Sequence, residues 1–156
     1  TVNMFEKFDV FSRAELESRA EIKYETYTKV INIESRSMID IASKHIIPAV
    51  IKYITALATS INQVRQASSA VTVEVQEELL KKSSELLTET RNALKKLEEV
   101  TAQVEHVQPI RDKAFFFREQ IVPAMEALRK PVDELEMIVD KNMWPMPSYG
   151  DLLFEV

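Results

Sequence analysis

One glycine, Gly150, stands in 156 residues, and there is no cysteine. A stretch of 149 residues therefore lacks the residue that supplies φ > 0 turns and lets bare backbone approach a ligand. A P-loop, a dinucleotide fingerprint and a nucleophile elbow all need glycines at fixed spacing, so none can be written here, and the chain alone is not expected to be an enzyme. The absence of cysteine excludes disulfides and thiolate metal sites and fits a reducing, cytoplasmic setting. A cationic surplus is missing as well. The chain has 20 Lys and Arg against 25 Asp and Glu, a formal net charge of -5, and no basic stripe. That balance argues against nucleic acid as a partner, because neutralising phosphates requires clustered cations. No 18-residue apolar run is apparent; the longest candidate, Ile46 to Ala58, contains Pro48 and Lys52, so no membrane span is expected. Thr1 is not an initiator Met and no signal peptide follows it, which suggests a fragment of a longer protein.

What is present points to helices. With 46% hydrophobic and 29% charged residues, the composition suits one all-α domain over residues 1–156 that buries about 70% of its unfolded surface. After an entry segment, 1–12, Ser12 and Glu15 form an S-x-x-E capping box, with Phe11 and Leu16 placed for a hydrophobic staple. Apolar residues then recur at three- and four-residue steps from Leu16 through Tyr24, Tyr27, Ile31, Met38, Ile41, Ala49, Tyr53, Leu57, Ile61 and Val64. This spacing predicts a first helix over 13–68, bent at Pro48, whose ring removes a hydrogen bond and clashes with the Lys44 carbonyl. Thr72 is expected to cap a second helix over 72–107, with Glu77/Lys81 and Glu78/Lys82 as i, i+4 pairs and a near-heptad seam through Leu79, Leu86, Ala93, Val100 and Val107. A third helix, 109–143, starts with Pro109 and crosses Pro123 and Pro131. An extended, proline-broken tail, 144–156, follows.

The fold expected is thus a bundle of three long antiparallel helices, kinked near Pro48 and Pro123. Counting along alternating helices puts the two prolines at one level, in similar contexts, Ile46-Ile47-Pro48-Ala49 and Ile121-Val122-Pro123-Ala124. The same count leaves Arg13 to about Ile33 uncovered, with Ile22, Tyr24, Tyr27, Val30 and Ile31 lacking an internal partner. Phe115, Phe116 and Phe117 sweep about 200° of helix surface and cannot all face one seam. Candidate contact residues are therefore Tyr24, Tyr27, Phe115, Phe116 and Phe117, joined in the tail by Trp144, Tyr149, Leu152 and Phe154.

No catalytic, cofactor-binding or metal-ligating set emerges. His45 and His106 are the only histidines, and a di-iron bundle would need Glu where Ala42 and Gln103 stand. His45 reads as a polar residue at the core's edge, and His106 as a complement to the negative end of helix two.

The segment Met143-Trp144-Pro145-Met146-Pro147-Ser148-Tyr149-Gly150-Asp151-Leu152-Leu153-Phe154 resembles the C-terminal signature of type III glutamine synthetases. Glu15-Leu16-Glu17-Ser18-Arg19, Tyr27, Ile31-Asn32-Ile33-Glu34, Ile47-Pro48-Ala49 and Tyr53 are similar to that family too. The resemblance implies a non-catalytic C-terminal domain serving structure and assembly, within a parent ligase that joins ammonia to glutamate. It also implies ATP and two divalent cations (Mg or Mn) in the parent, none on this chain. As partners it implies the catalytic domain of the same chain and neighbouring subunits of a large cytoplasmic homo-oligomer. A spectrin-like or chemoreceptor-like helical scaffold would share the same long helices.

Overall fold

In a computed structural model the chain is described at residues 4, 5, 8, 10–147 and 149–154, the side chains of Tyr149 and Phe154 excepted. Helix α1 runs Arg13–Ile41, passes through a π-helical turn, Ala42–Ile46, and continues as α2, Ile47–Ala67. Helix α3, Glu74–Gln103, returns antiparallel and ends in a 3-10 turn, Val104–His106. The third limb is α4, Ile110–Phe116, a second π-helical turn, Phe117–Ile121, and α5, Val122–Glu136. A short helix α6, Tyr149–Phe154, follows. No strand occurs among the described residues, and the architecture is the expected all-α bundle of three long limbs.

The start of α1 follows from its sequence. Ser12 Oγ accepts from the Glu15 amide at 3.3 Å, and the Ser12 amide donates to Glu15 Oε2 at 2.8 Å, so two orphan donors are satisfied reciprocally. Hydrogen bonds from the Ser12 amide and then its hydroxyl hold the Glu15 carboxyl below its ordinary range.

Both prolines are prepared by the same device. A proline has no amide hydrogen, and its ring collides with the carbonyl four residues back. Immediately before Pro48 the helix widens, so that the Ile47 amide reaches five residues back to the Ala42 carbonyl; before Pro123 the Val122 amide reaches the Phe117 carbonyl in the same way. The first widening changes which residues face inward. Continuing the seven-residue spacing of Tyr24, Ile31 and Met38 would bring His45 and Lys52 to the core. Instead His45 and Lys52 are exposed, and Ile46 and Tyr53, one residue later, are buried. The spacing of α1 does not foretell this shift, which is why His45 is a surface residue and not a core-edge one.

The core is a sequence of heptad layers. Ala114, Ile121, Leu128 and Leu135 are buried seven apart on the third limb, and Thr90, Leu97 and Val104 along α3 and its closing 3-10 turn. Opposite them stand small residues, Thr28, Ser35, Ala42 and Ala49, again seven apart and buried. Hydroxyls in this seam fold back on their own helices: Thr28 Oγ1 donates to the Glu25 carbonyl at 2.9 Å, Ser35 Oγ to Asn32 at 3.0 Å, and Thr90 Oγ1 to Leu86 at 2.8 Å. Ser83 Oγ and Thr101 Oγ1 are buried without a hydrogen-bond partner among the described residues.

Two clusters divide the core. One gathers Ala42, Leu94, Leu97, Val104, Phe117, Ile121, Ala124 and Leu128. The other gathers Ile46, Val50, Tyr53, Leu86, Leu135 and Val139, with Trp144 packed against it. Ile121 and Ala124 beside Pro123 belong to the first, whereas Ile46 and Val50 beside Pro48 belong to the second and Ile47 packs against the first, so the prolines are staggered, contrary to the level arrangement expected. Leu135, which shares a cluster with Val50, lies about 18 Å of helical rise beyond Pro123. The cause is the connection after α3. Its 3-10 turn rises about 2.0 Å per residue, and Val107 is extended, so the third limb begins lower than an α-helical count allows.

Other ends differ as well. Val73, not Thr72, is the N-cap of α3, without a side-chain cap, because Val73 is itself buried in the bundle. Glu77 pairs with Arg65 and Lys82 with Glu134, at 3.1 Å in the second case, so these charges tie limbs together rather than forming the expected pairs along α3. Pro109 is the extended N-cap of α4, and the helix starts at Ile110. The third limb ends at Glu136 rather than Met143: the Ile138 and Val139 amides share the Leu135 carbonyl, and Asp140 Oδ1 accepts from the Asn142 amide at 2.7 Å. That turn carries Val139 and Trp144 back onto the core. Burial, with Asp140 nearby, raises the Tyr53 hydroxyl above its ordinary pKa. The tail is partly helical, contrary to expectation. Gly150 lies inside α6 with no positive φ, and Lys141 Nζ holds Asp151 at 2.8 Å.

Two core substitutions should act in opposite directions. Leu94→Ala, at a fully buried position, should cost about 2–5 kcal/mol in urea denaturation. Ser83→Ala, which removes an unpartnered buried hydroxyl, should be neutral or stabilise by about 1 kcal/mol.

Candidate interaction surface

Helix α1 is apolar on two sides. Tyr24, Thr28, Ile31 and Ser35 step by four, three and four residues along the face turned to α4 and the core. Ile22, Val30 and Ile33 lie about 200° away and are 59%, 46% and 66% exposed. An amphipathic helix needs one apolar stripe to join a bundle, so the second stripe is surplus to this fold.

The third limb covers more of α1 than counting suggests. The Phe115 ring lies 6.5 Å from that of Tyr24, centroid to centroid, and Thr28 is buried. The uncovered part is therefore the far face, together with the first turns ahead of Tyr24, rather than the whole of Arg13 to Ile33. The low start of the third limb again explains the difference.

Two open grooves run along this end and meet at Lys23. One, of about 560 Å³, is lined by Phe11, Leu16, Arg19, Ala20, Ile22 and Lys23. The other, of about 410 Å³, lies between Tyr24, Tyr27, Ala114, Phe115 and Arg118. Cations sit over the aromatic rings at both: Arg19 Cζ is 4.6 Å from the Phe11 centroid and Arg111 Cζ is 5.8 Å from that of Phe115. The floor of each groove is apolar and its rim is charged, the arrangement of a protein-binding patch.

The aromatic triplet separates as its angular sweep requires. Phe115 is 37% exposed, Phe116 is half-buried against the cluster of Leu97 and Ile121, and Phe117 is 1% exposed. Phe117 is therefore a core residue, which removes it from the candidate contact set. Tyr27 is open at the groove and Tyr24 half-covered. In the tail, Trp144 is half-buried on the cluster of Tyr53 and Leu135, with its indole N–H buried and unpartnered among the described residues. Leu152 and Leu153 are exposed. The side chains of Tyr149 and Phe154 lie outside the described ones. Sequence reasoning placed the candidate contacts at this end of the chain without Ile33 or the opposed stripes, which a helical wheel of residues 20–36 shows.

Among the described residues no three of His, Asp and Glu gather as a metal-binding group. One 18-residue window within the rod Arg13–Ala67 is apolar enough by length and composition to cross a membrane, at mean hydropathy 1.2, which the sequence reading overlooked. The rod's Ile46, Val50, Tyr53 and Ile61 are buried in the bundle.

The exposed stripe should prove dispensable for stability of this chain. Replacing Ile22, Val30 and Ile33 by Ser one at a time should change unfolding free energy by about 0.5 kcal/mol or less, whereas Phe117→Ala should cost about 3–5 kcal/mol, both read from urea denaturation.

Comparison with known proteins gives this geometry a context. The family described as "Glutamine synthetase C-terminal domain" matches residues 1–65. The chain is 32% identical over 149 residues to the glutamine synthetase of Bacteroides fragilis (strain YCH46), covering 93% of this chain and 20% of that protein. It is 31% identical over 157 residues to the type-3 glutamine synthetase of Dictyostelium discoideum, at 98% and 21% coverage. A Butyrivibrio fibrisolvens glutamine synthetase is 28% identical over 156 residues, at 100% and 22%. The chain thus spans about a fifth of the length of the curated relatives it matches. It belongs to the glutamine synthetase C-terminal domain family.

Proposed function

We propose that this chain is a non-catalytic module through which a type III glutamine synthetase holds its catalytic domain and its neighbouring subunits together. The observation that carries the reading is the second apolar stripe of α1. Ile22, Val30 and Ile33 are exposed on the side opposite the bundle, at the end where two open grooves meet. A stripe unused by its own fold is best explained by a surface supplied from elsewhere, and relatives about five times longer provide the chain from which it could come. The exposed Leu152 and Leu153 extend the same logic to the tail.

In this reading the parent ligates ammonia to glutamate with ATP and divalent cations (Mg or Mn) in the cytoplasm, as a large homo-oligomer. The reacting groups and cofactors belong to the part of the parent outside this chain. What this chain contributes is stiffness: a continuous rod, Arg13–Ala67, about 80 Å long, braced over much of its length by α3 and the third limb.

The test is made in the full-length parent. Changing Ile22, Val30 and Ile33 together to Ser, and separately deleting 145–156, should reduce particle mass in light scattering and lower turnover about tenfold or more. Full-size particles with unchanged turnover in both variants would reject the assembly role.

A further inference from the structure

Two exposed features of this chain match each other in polarity and in charge. The first is the groove between α1 and α4, floored by Tyr24, Tyr27, Ala114 and Phe115 and rimmed by Lys23 and Arg118. The adjoining groove at Phe11, Leu16 and Ile22 adds Arg19, and Arg111 stands over the Phe115 ring. No Asp or Glu lines either groove, so an acidic chain presents a cationic rim here.

The second feature is the tail. Leu152 and Leu153 of α6 are exposed, side by side on a short helix. From Asn142 to Val156 the sequence holds two acids, Asp151 and Glu155, and no Lys, Arg or His. An apolar, acidic segment is the complement of an apolar groove with a cationic rim. A chain of net charge -5 repels its own copies, and this pairing is one of opposite signs.

The two features cannot meet within one molecule. Trp144 packs on the cluster of Tyr53 and Leu135, and Leu135 lies about 30 Å of helical rise from Phe115 at the groove. Eight residues separate Trp144 from Leu152, and fully extended they span at most about 28 Å. The pair of Lys141 with Asp151 draws α6 back towards the turn after α5 instead. A tail that fills the groove therefore comes from another molecule.

We propose that the groove of Tyr24, Tyr27 and Phe115 receives the tail of a second copy of this chain, with Leu152 and Leu153 on the aromatic floor and Glu155 facing Lys23 and Arg118. Groove and tail are different surfaces, so the contact runs head to tail and closes into a ring where the rotation between copies allows. This pairing rests on the assembly role proposed above and names the two surfaces that meet.

The test is a ¹H–¹⁵N NMR titration of the 156-residue chain with a synthetic peptide of residues 147–156. Saturable shifts at the amides of Tyr24, Tyr27 and Phe115 are expected. Replacing Leu152 and Leu153 by Ser in the peptide should abolish them, and Lys23→Glu with Arg118→Glu in the chain should weaken binding about tenfold or more. A peptide carrying Asp151→Lys and Glu155→Lys should bind the charge-reversed chain better than the native peptide does, which a damaged fold would not produce. Absent or unsaturable shifts, shifts remote from the groove, or binding indifferent to Leu152 and Leu153 would overturn the pairing. If the peptide fails while the parent still loses mass on the stripe and tail changes, the assembly role stands and this pairing alone falls.

Discussion

A missing amide hydrogen organises this bundle. Pro48 cannot donate within its helix, and the chain answers by widening the preceding turn, Ala42–Ile46, to a five-residue hydrogen-bonded step. That step adds one residue to the turn: Ala49 keeps the buried series of Thr28, Ser35 and Ala42, while the neighbouring inward row moves on by one residue to Ile46 and Tyr53. Without it the spacing of α1 would aim His45 and Lys52 at the core; with it Ile46, Val50 and Tyr53 face Leu86 and Leu135 instead. The cluster of Ile46, Val50, Tyr53, Leu86 and Leu135 therefore depends on a backbone event and not on composition alone. The third limb repeats the device at Phe117–Ile121, where the seven-residue spacing of Ala114, Ile121 and Leu128 passes through unbroken.

Below the first widening, α1 has a different role. Its inward face uses small residues, Thr28 and Ser35, that let α3 and the third limb approach closely, and their hydroxyls are satisfied within the helix itself. Its outward face repeats the apolar pattern with Ile22, Val30 and Ile33. A helix that is apolar on both sides is usually buried on both sides. The bundle supplies one of those sides, and the assembly role proposed above would supply the other. The exposed ion pairs along α1, such as Arg13–Glu17, are solvated and add little, so the stability of this end rests on apolar contact and the capping box.

The sequence and the structure agree where a signal is local. The Ser12/Glu15 box, the 3.6-residue rhythm and the disruptive prolines are each written within a few residues, and the structure follows them. The mismatches are non-local. Pro48 and Pro123 are staggered because the connection Val104–Pro109 lengthens the foot of the bundle, which no count of helical residues contains. Thr72 does not cap α3 because burial of Val73 sets where that helix begins. Gly150 sits in a helix against glycine's own preference, with the Lys141–Asp151 pair joining that helix to the preceding turn. At the candidate surface, Tyr27 and Phe115 were legible as excess aromatics. Phe117 was not separable from its neighbours until the phase of the limb was known.

The claim that α1 presents a face meant for the remainder of a larger enzyme is tested most directly by hydrogen–deuterium exchange, comparing this chain alone with the same residues in the full-length parent. The account predicts that amides of residues 13–33 exchange markedly faster in the isolated chain and become protected in the parent, while those around Leu94 and Leu97 are equally slow in both. Equal exchange of residues 13–33 in the two settings would contradict it.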